Sequence, residues 1–110
     1  NLGDFNIMRA KWTVSIDLDG VLAEHTSSDK YSSAKPMREN ISKVNTLYEK
    51  GWRIVIYTAR GWYGYDETEA WLNRQGVKYH QLVMGKVWAH YYIDDLNSTL
   101  DEVLTKEIGG

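Results

Sequence analysis

Two aspartates one residue apart, Asp17 and Asp19, close a short stretch that reads Trp12-Thr13-Val14-Ser15-Ile16, and Gly20 follows them. Residues two apart in extended chain point to the same side, so both carboxylates face one direction. Three further stretches end the same way: Thr58 follows Ile54-Val55-Ile56-Tyr57, Lys86 follows Met84-Gly85, and Asp94 and Asp95 follow Tyr91-Tyr92-Ile93. If these ends share one rim, four carboxylates, one hydroxyl and one ammonium share a pocket. Carboxylates that close repel one another, and their protons return unless a cation neutralises them. An all-oxygen donor set implies a hard divalent ion, and magnesium suits it.

The elements between these residues decide whether the rim exists. Trp12 to Leu18 is rich in β-branched and aromatic residues and predicts a buried strand ending in a turn. Glu24 to Lys35 is polar and serine-rich, closes at Pro36, and reads as an exposed loop or small hairpin flap. Ile41, Val44, Leu47 and Tyr48 recur at helical spacing before Gly51, predicting a helix from Arg38 to Lys50. Trp52 to Tyr57 predicts a second strand. Asp66 and Glu69 stand three apart, as in a capping box, and open a helix that ends at Gly76. Tyr79 to Met84 and Tyr91 to Ile93 predict a third and a fourth strand. A last helix starts at Asn97 or Ser98, with Leu100, Val103, Leu104 and Ile108 as its apolar stripe.

Strands alternating with helices imply right-handed crossovers and a mostly parallel sheet covered by helices, with expected strand order 3-2-1-4. In such α/β sheets the carboxyl ends of the strands line one crevice. Asp17, Asp19, Thr58, Lys86, Asp94 and Asp95 all fall there.

Composition narrows the partners. The 110 residues suit one domain, spanning 1–110, with 1–7 read as a linker or expression remnant. Hydrophobic residues at 43% and charged residues at 25% are ordinary globular values. Thirteen basic against fifteen acidic residues leave a net charge of -2, which provides no broad basic face for nucleic acid and no polybasic anchor for lipid. Cysteine is absent, which removes disulfides and thiolate chemistry. With no apolar run near the roughly 18 residues of a membrane span, and no signal-peptide pattern at Asn1 to Met8, the expected location is the cytoplasm. Oligomeric state is left open.

The stretch Ile16-Asp17-Leu18-Asp19-Gly20-Val21-Leu22 resembles the first motif of the haloacid dehalogenase superfamily of phosphohydrolases. Thr58 in Ile56-Tyr57-Thr58-Ala59-Arg60, Lys86 in Gly85-Lys86 and Asp94-Asp95 after Tyr92-Ile93 look like its second, third and fourth motifs, in the family's order. The Thr-Ala-Arg-Gly and Gly-Lys-Val-Trp contexts look most like the small phosphatases of capsule and surface-polysaccharide biosynthesis. The family commonly has threonine where this chain has Val21.

The resemblance implies a Rossmann-like fold without a cap domain, since neither Val21 to Pro36 nor Gly61 to Gln81 is long enough for one. It implies a magnesium-dependent phosphatase in which Asp17 becomes an aspartyl phosphate and Asp19 protonates the leaving oxygen, then takes a proton from water. Magnesium would be held by Asp17, the backbone carbonyl of Asp19 and Asp94, with Asp95 either ligating or bonding through water, while Thr58 and Lys86 hold the phosphoryl oxygens.

Arg60 and Gly61 are second-tier candidates for substrate contact, with surface ion pairing as the competing reading of Arg60. His25, beside Glu24 in the flap, is the best placed of three scattered histidines. Trp62, Tyr63 and Tyr65 either stack on a substrate ring or pack their own loop. The expected substrate is a small phosphorylated sugar or polysaccharide intermediate. The alternatives are a nucleotide or polynucleotide end phosphatase, and, in another class, a receiver-like or degenerate phosphate-binding module.

Overall fold

β-Branched residues build the strands, and the structure, a computed structural model describing residues 12–109, forms three of the four expected ones. β1 (Thr13–Ile16), β2 (Arg53–Tyr57) and β3 (Gln81–Val83) make a parallel sheet in the order β1-β2-β3. Ile16 pairs with Ile56 and Ile56 with Leu82, so the three strands end at a common level. Along β2, buried Ile54 and Ile56 alternate with half-buried Arg53 and Val55, the period of two expected of a sheet with one dry face.

Helices flank this sheet: α1 (Arg38–Glu49), α2 (Tyr65–Arg74) and α3 (Leu100–Gly109). α1 buries Ile41, Val44 and Leu47, and α2 buries Thr68, Trp71 and Leu72. Both stop in the same way. After α1, Gly51 takes φ 92° while its N–H bonds the Tyr48 carbonyl and the Trp52 N–H bonds that of Leu47. After α2, Gly76 takes φ 73° with the matching bonds to Asn73 and from Val77 to Leu72. This double bond pattern satisfies carbonyls that a helix end otherwise leaves open, and only glycine takes the left-handed turn without strain. Each glycine then returns the chain to a strand, which is how two helix stops set two strand starts.

Helix starts sit slightly off the sequence expectation. α2 opens at Tyr65 after Gly64, with no capping side-chain bond, and Asp66 lies inside the first turn, where an acid still suits the helix dipole. α3 opens at Leu100, and the Thr99 hydroxyl accepts the Glu102 N–H at 3.1 Å as its cap. Leu100, Val103 and Leu104 pack against the core as the stripe predicts; the side chain of Ile108, like residues 1–7, lies outside the described part.

Tyr91–Ile93 is not a strand. The Tyr92 hydroxyl donates to the Val87 carbonyl and accepts the Ala89 N–H, while the Tyr92 carbonyl accepts from Asn97. Of the backbone groups a ladder would need, the Tyr92 carbonyl is already taken by Asn97, and strand propensity yields to these local loop bonds. Ile93 is 98% exposed.

The flap is a closed excursion. Ala23 bridges Pro36, the Glu24 N–H bonds the Lys35 carbonyl, and a short 3-10 turn over Ser28–Ser33 forms the tip. Buried Trp71 fastens it by donating its indole N–H to the Ala34 carbonyl at 2.8 Å. No cap domain interrupts the described chain. Among the described residues no helix is long and apolar enough to cross a membrane.

Candidate active site at the carboxyl edge of the sheet

At the end of β1 the chain folds back on one carbonyl: Leu18 O accepts the N–H groups of Val21, Leu22 and Ala23 at 3.2, 2.8 and 3.0 Å. Leu18 and Leu22 are fully buried and anchor this turn, leaving Asp17 and Asp19 half-buried on its outer side. Gly20 takes φ 86°, and a Cβ there would stand 2.7 Å from His25 Nε2. The turn therefore has room for His25 only because position 20 is glycine. The His25 ring lies against Gly20.

Asp17 Oδ1 accepts the Leu18 N–H at 2.8 Å, which fixes the carboxylate's orientation at the strand end. Asp19 is held more firmly. Arg60 Nη2 donates to Asp19 Oδ1 at 2.7 Å and Arg60 Nε to Oδ2 at 3.0 Å, a two-pronged pair. Arg60 Nη1 donates to the Thr68 hydroxyl at 3.0 Å, and the guanidinium lies 3.8 Å from the centroid of the Tyr31 ring. The Arg60 side chain is 1% exposed.

The ends of β2 and β3 are laced together. The Lys86 N–H bonds the Thr58 carbonyl and the Gly85 N–H bonds the Arg60 carbonyl, both at 2.9 Å. Thr58 is fully buried, and its hydroxyl accepts the Arg60 N–H at 3.1 Å, leaving its own proton to donate. Gly85 takes φ 80°, and the Trp62 indole N–H edge would be 3.1 Å from a Cβ there. The Lys86 ammonium lies 4.0 Å from the Tyr92 ring centroid and 5.4 Å from that of Tyr57, a cation resting on aromatic faces. Around it, Trp62 is 64% and Tyr63 81% exposed, and Trp62 stacks on Tyr65 at 6.1 Å between centroids. Gly61 lies beneath the Tyr63 ring, where a Cβ would come within 2.4 Å.

Asp94 and Asp95 sit in the exposed loop before α3. Asp94 Oδ1 accepts the Leu96 N–H at 2.9 Å, and that bond, with a second from Asp95, holds the Asp94 carboxyl below the usual range. Among the described residues no three His, Asp or Glu side chains converge closely enough to hold a metal ion.

The structure thus brings Asp17, Asp19, Thr58, Arg60, Gly61, His25 and Lys86 to adjacent strand ends, and Asp94 and Asp95 sit in the exposed loop whose Tyr92 ring lies against Lys86. Two residues missed from sequence complete the group, Tyr31 and Thr68, which hold Arg60. Thr68 carried a signal, three residues before Trp71 on the buried stripe of α2. Tyr31, in a polar serine-rich run, carried none.

Taken together, the three parallel strands, the flanking helices and the absence of a cap define a small Rossmann-like α/β fold of the capless kind that the haloacid dehalogenase resemblance implies. Neither a protein-family model nor a curated protein matches the chain. Among solved structures, it is similar to a crystallised protein from Vibrio cholerae, with a TM-score of 0.72 and 28% identity over 88% of this chain and 93% of that one. It is also similar in fold to a chain of the Pnkp1/Rnl/Hen1 complex, with a TM-score of 0.62 and 18% identity over 94% of this chain but 36% of that one. A second structure, described as the Pnkp1/Rnl/Hen1 RNA repair complex, gives 0.61 and 19% over 91% and 31%. This chain therefore spans about a third of the RNA-repair chain, and the likeness there is one of fold.

Proposed function

We propose that the chain is a phosphomonoester hydrolase with Asp17 as nucleophile and Asp19 as proton carrier. The observation that supports this reading is the placing of Asp17, Asp19, Thr58 and the Gly85-Lys86 turn at neighbouring strand ends. In the first step an Asp17 oxygen bonds phosphorus and the ester P–O bond breaks. The leaving oxygen takes the Asp19 proton. In the second, water bonds phosphorus and returns a proton to Asp19, the Asp17–phosphorus link breaks, and inorganic phosphate leaves. The Lys86 ammonium, turned off its aromatic rest, offsets charge on the phosphoryl oxygens, and the Thr58 hydroxyl, buried as it stands, joins it only if the strand ends part to admit the phosphoryl group.

Magnesium dependence belongs to the proposal on residue type and resemblance, not on the arrangement of the carboxylates. Phosphate release from a substrate panel, with magnesium and then with chelator, tests it. Wild type is expected to release phosphate only with the metal, and Asp17→Asn to release none while keeping its unfolding transition. Wild-type rates in Asp17→Asn would end the assignment of the nucleophile.

For the substrate, family likeness favours a phosphorylated sugar or polysaccharide intermediate. The exposed indole of Trp62 beside Gly85-Lys86 favours a second reading, a nucleotide or polynucleotide end, because every base offers a face to stack on an aromatic ring. Including sugar phosphates, nucleoside monophosphates and 3′-phosphorylated oligonucleotides in the panel separates the two. A long-lived aspartyl phosphate with no release would instead favour a receiver-like module.

A further inference from the structure

Arg60 combines near-complete burial with contacts to three separate parts of the chain. A charged guanidinium at 1% exposure is costly unless its donors are matched. Here Nε and Nη2 meet Asp19, Nη1 meets Thr68 of α2, and the Tyr31 ring from the flap tip covers one face. The Tyr31 ring passes beside Gly64, where an added Cβ would stand at ordinary contact distance, 3.6 Å. The group joins the β1 turn, the β2 end, α2 and the flap.

We propose that Arg60 is the positioning residue of Asp19: it holds the proton-carrying carboxylate in one orientation, is itself held by Thr68 and Tyr31, and does not bind the substrate phosphate. This rests on the phosphatase reading above. Three of the guanidinium N–H groups are taken by Asp19 and Thr68, so those three are not offered to a phosphoryl group. A carboxylate has about four acceptor sites, and the fork occupies one on each oxygen. The remaining sites stay free for the proton that passes to the leaving oxygen and later arrives from water. Without the fork, Asp19 turns freely about its side-chain torsions and loses alignment with the leaving oxygen, which costs rate but not affinity.

Leaving-group dependence tests this. p-Nitrophenyl phosphate releases a stable phenolate that needs no proton, whereas a simple alkyl phosphate releases an alkoxide that does. In Arg60→Lys, which keeps the charge and loses the fork, kcat/KM for the alkyl ester is expected to fall by about 10²-fold, the scale of proton-transfer catalysis, and to fall less than about tenfold for the aryl ester. Inorganic phosphate should inhibit wild type and variant alike. Thr68→Val, nearly isosteric, should show the same pattern in weaker form and covers the case in which Arg60→Lys fails to fold. In an Asp19→Asn background, Arg60→Lys should cost nothing further on the alkyl ester, because the group it positions is gone.

Equal losses on both esters would reduce Arg60 to a structural residue and overturn the proposal. Weaker phosphate inhibition with an unchanged ester ratio would make it a substrate ligand and overturn it as well. A wild type that hydrolyses neither ester sinks the phosphatase reading, and the positioning role with it.

Discussion

At the scale of single residues, burial assigns roles that residue type leaves open. Arginine two residues after Thr58 fits either a phosphate or a carboxylate, and here it is 1% exposed and forked onto the Asp19 carboxylate. His80 is a second case. Its Nδ1 accepts the Ile54 N–H at 2.9 Å and its ring stacks on Tyr48 at 4.6 Å between centroids. Burial, and then the nearby Arg53 charge, push its pKa below the ordinary 6.5. The folded state therefore binds the proton less readily than the unfolded chain. Stability from His80 is complete above that ordinary value and declines as pH falls through it towards the lowered folded value. Urea midpoints measured from pH 7.5 to pH 5 should fall in wild type, and the part of that fall due to this site should vanish in His80→Asn. An identical pH dependence in both proteins would remove His80 from the account.

Elements meet through a few bonds that fix what they carry. Trp71, fully buried on α2, donates to the Ala34 carbonyl and so ties helix to flap. Trp71→Phe leaves that nearly buried carbonyl without its donor, a loss of about 1–3 kcal/mol to which the missing ring volume adds. Urea unfolding should show the destabilisation, and hydrogen exchange should show faster opening across residues 24–35 than across β2. Protection unchanged in the flap would mean that the Ala23–Pro36 bridge alone secures it. The two glycine-ended helices act at the same scale, since each places the start of the strand whose far end carries site residues.

For the whole molecule, the sheet has three strands in the described chain, and Asp94 and Asp95 lie in the exposed loop between β3 and α3. Its apolar residues face solvent, with Ile93 at 98% and Leu96 at 83% exposure. Ile93→Ser should then change stability by no more than about 0.5 kcal/mol, the range of ordinary surface substitutions. A loss of several kcal/mol in urea unfolding would place Ile93 in a core and restore the fourth strand, with the acidic pair beside β1.

Periodicity and punctuation made most of the architecture legible from sequence. Apolar residues at helical spacing give α1 its buried face, glycines end α1 and α2, and β-branched runs form β1 and β2, because these choices depend on near neighbours along the chain. Asp17, Thr58 and Lys86 were legible as strand-end residues for the same reason. What they touch was not. The fork from Arg60 to Asp19 joins residues 41 apart, its Tyr31 and Thr68 supports come from two further elements, and Tyr91–Ile93 takes a loop form against its strand-like composition. Such contacts follow from how packed elements bring distant side chains together, which only the tertiary structure decides.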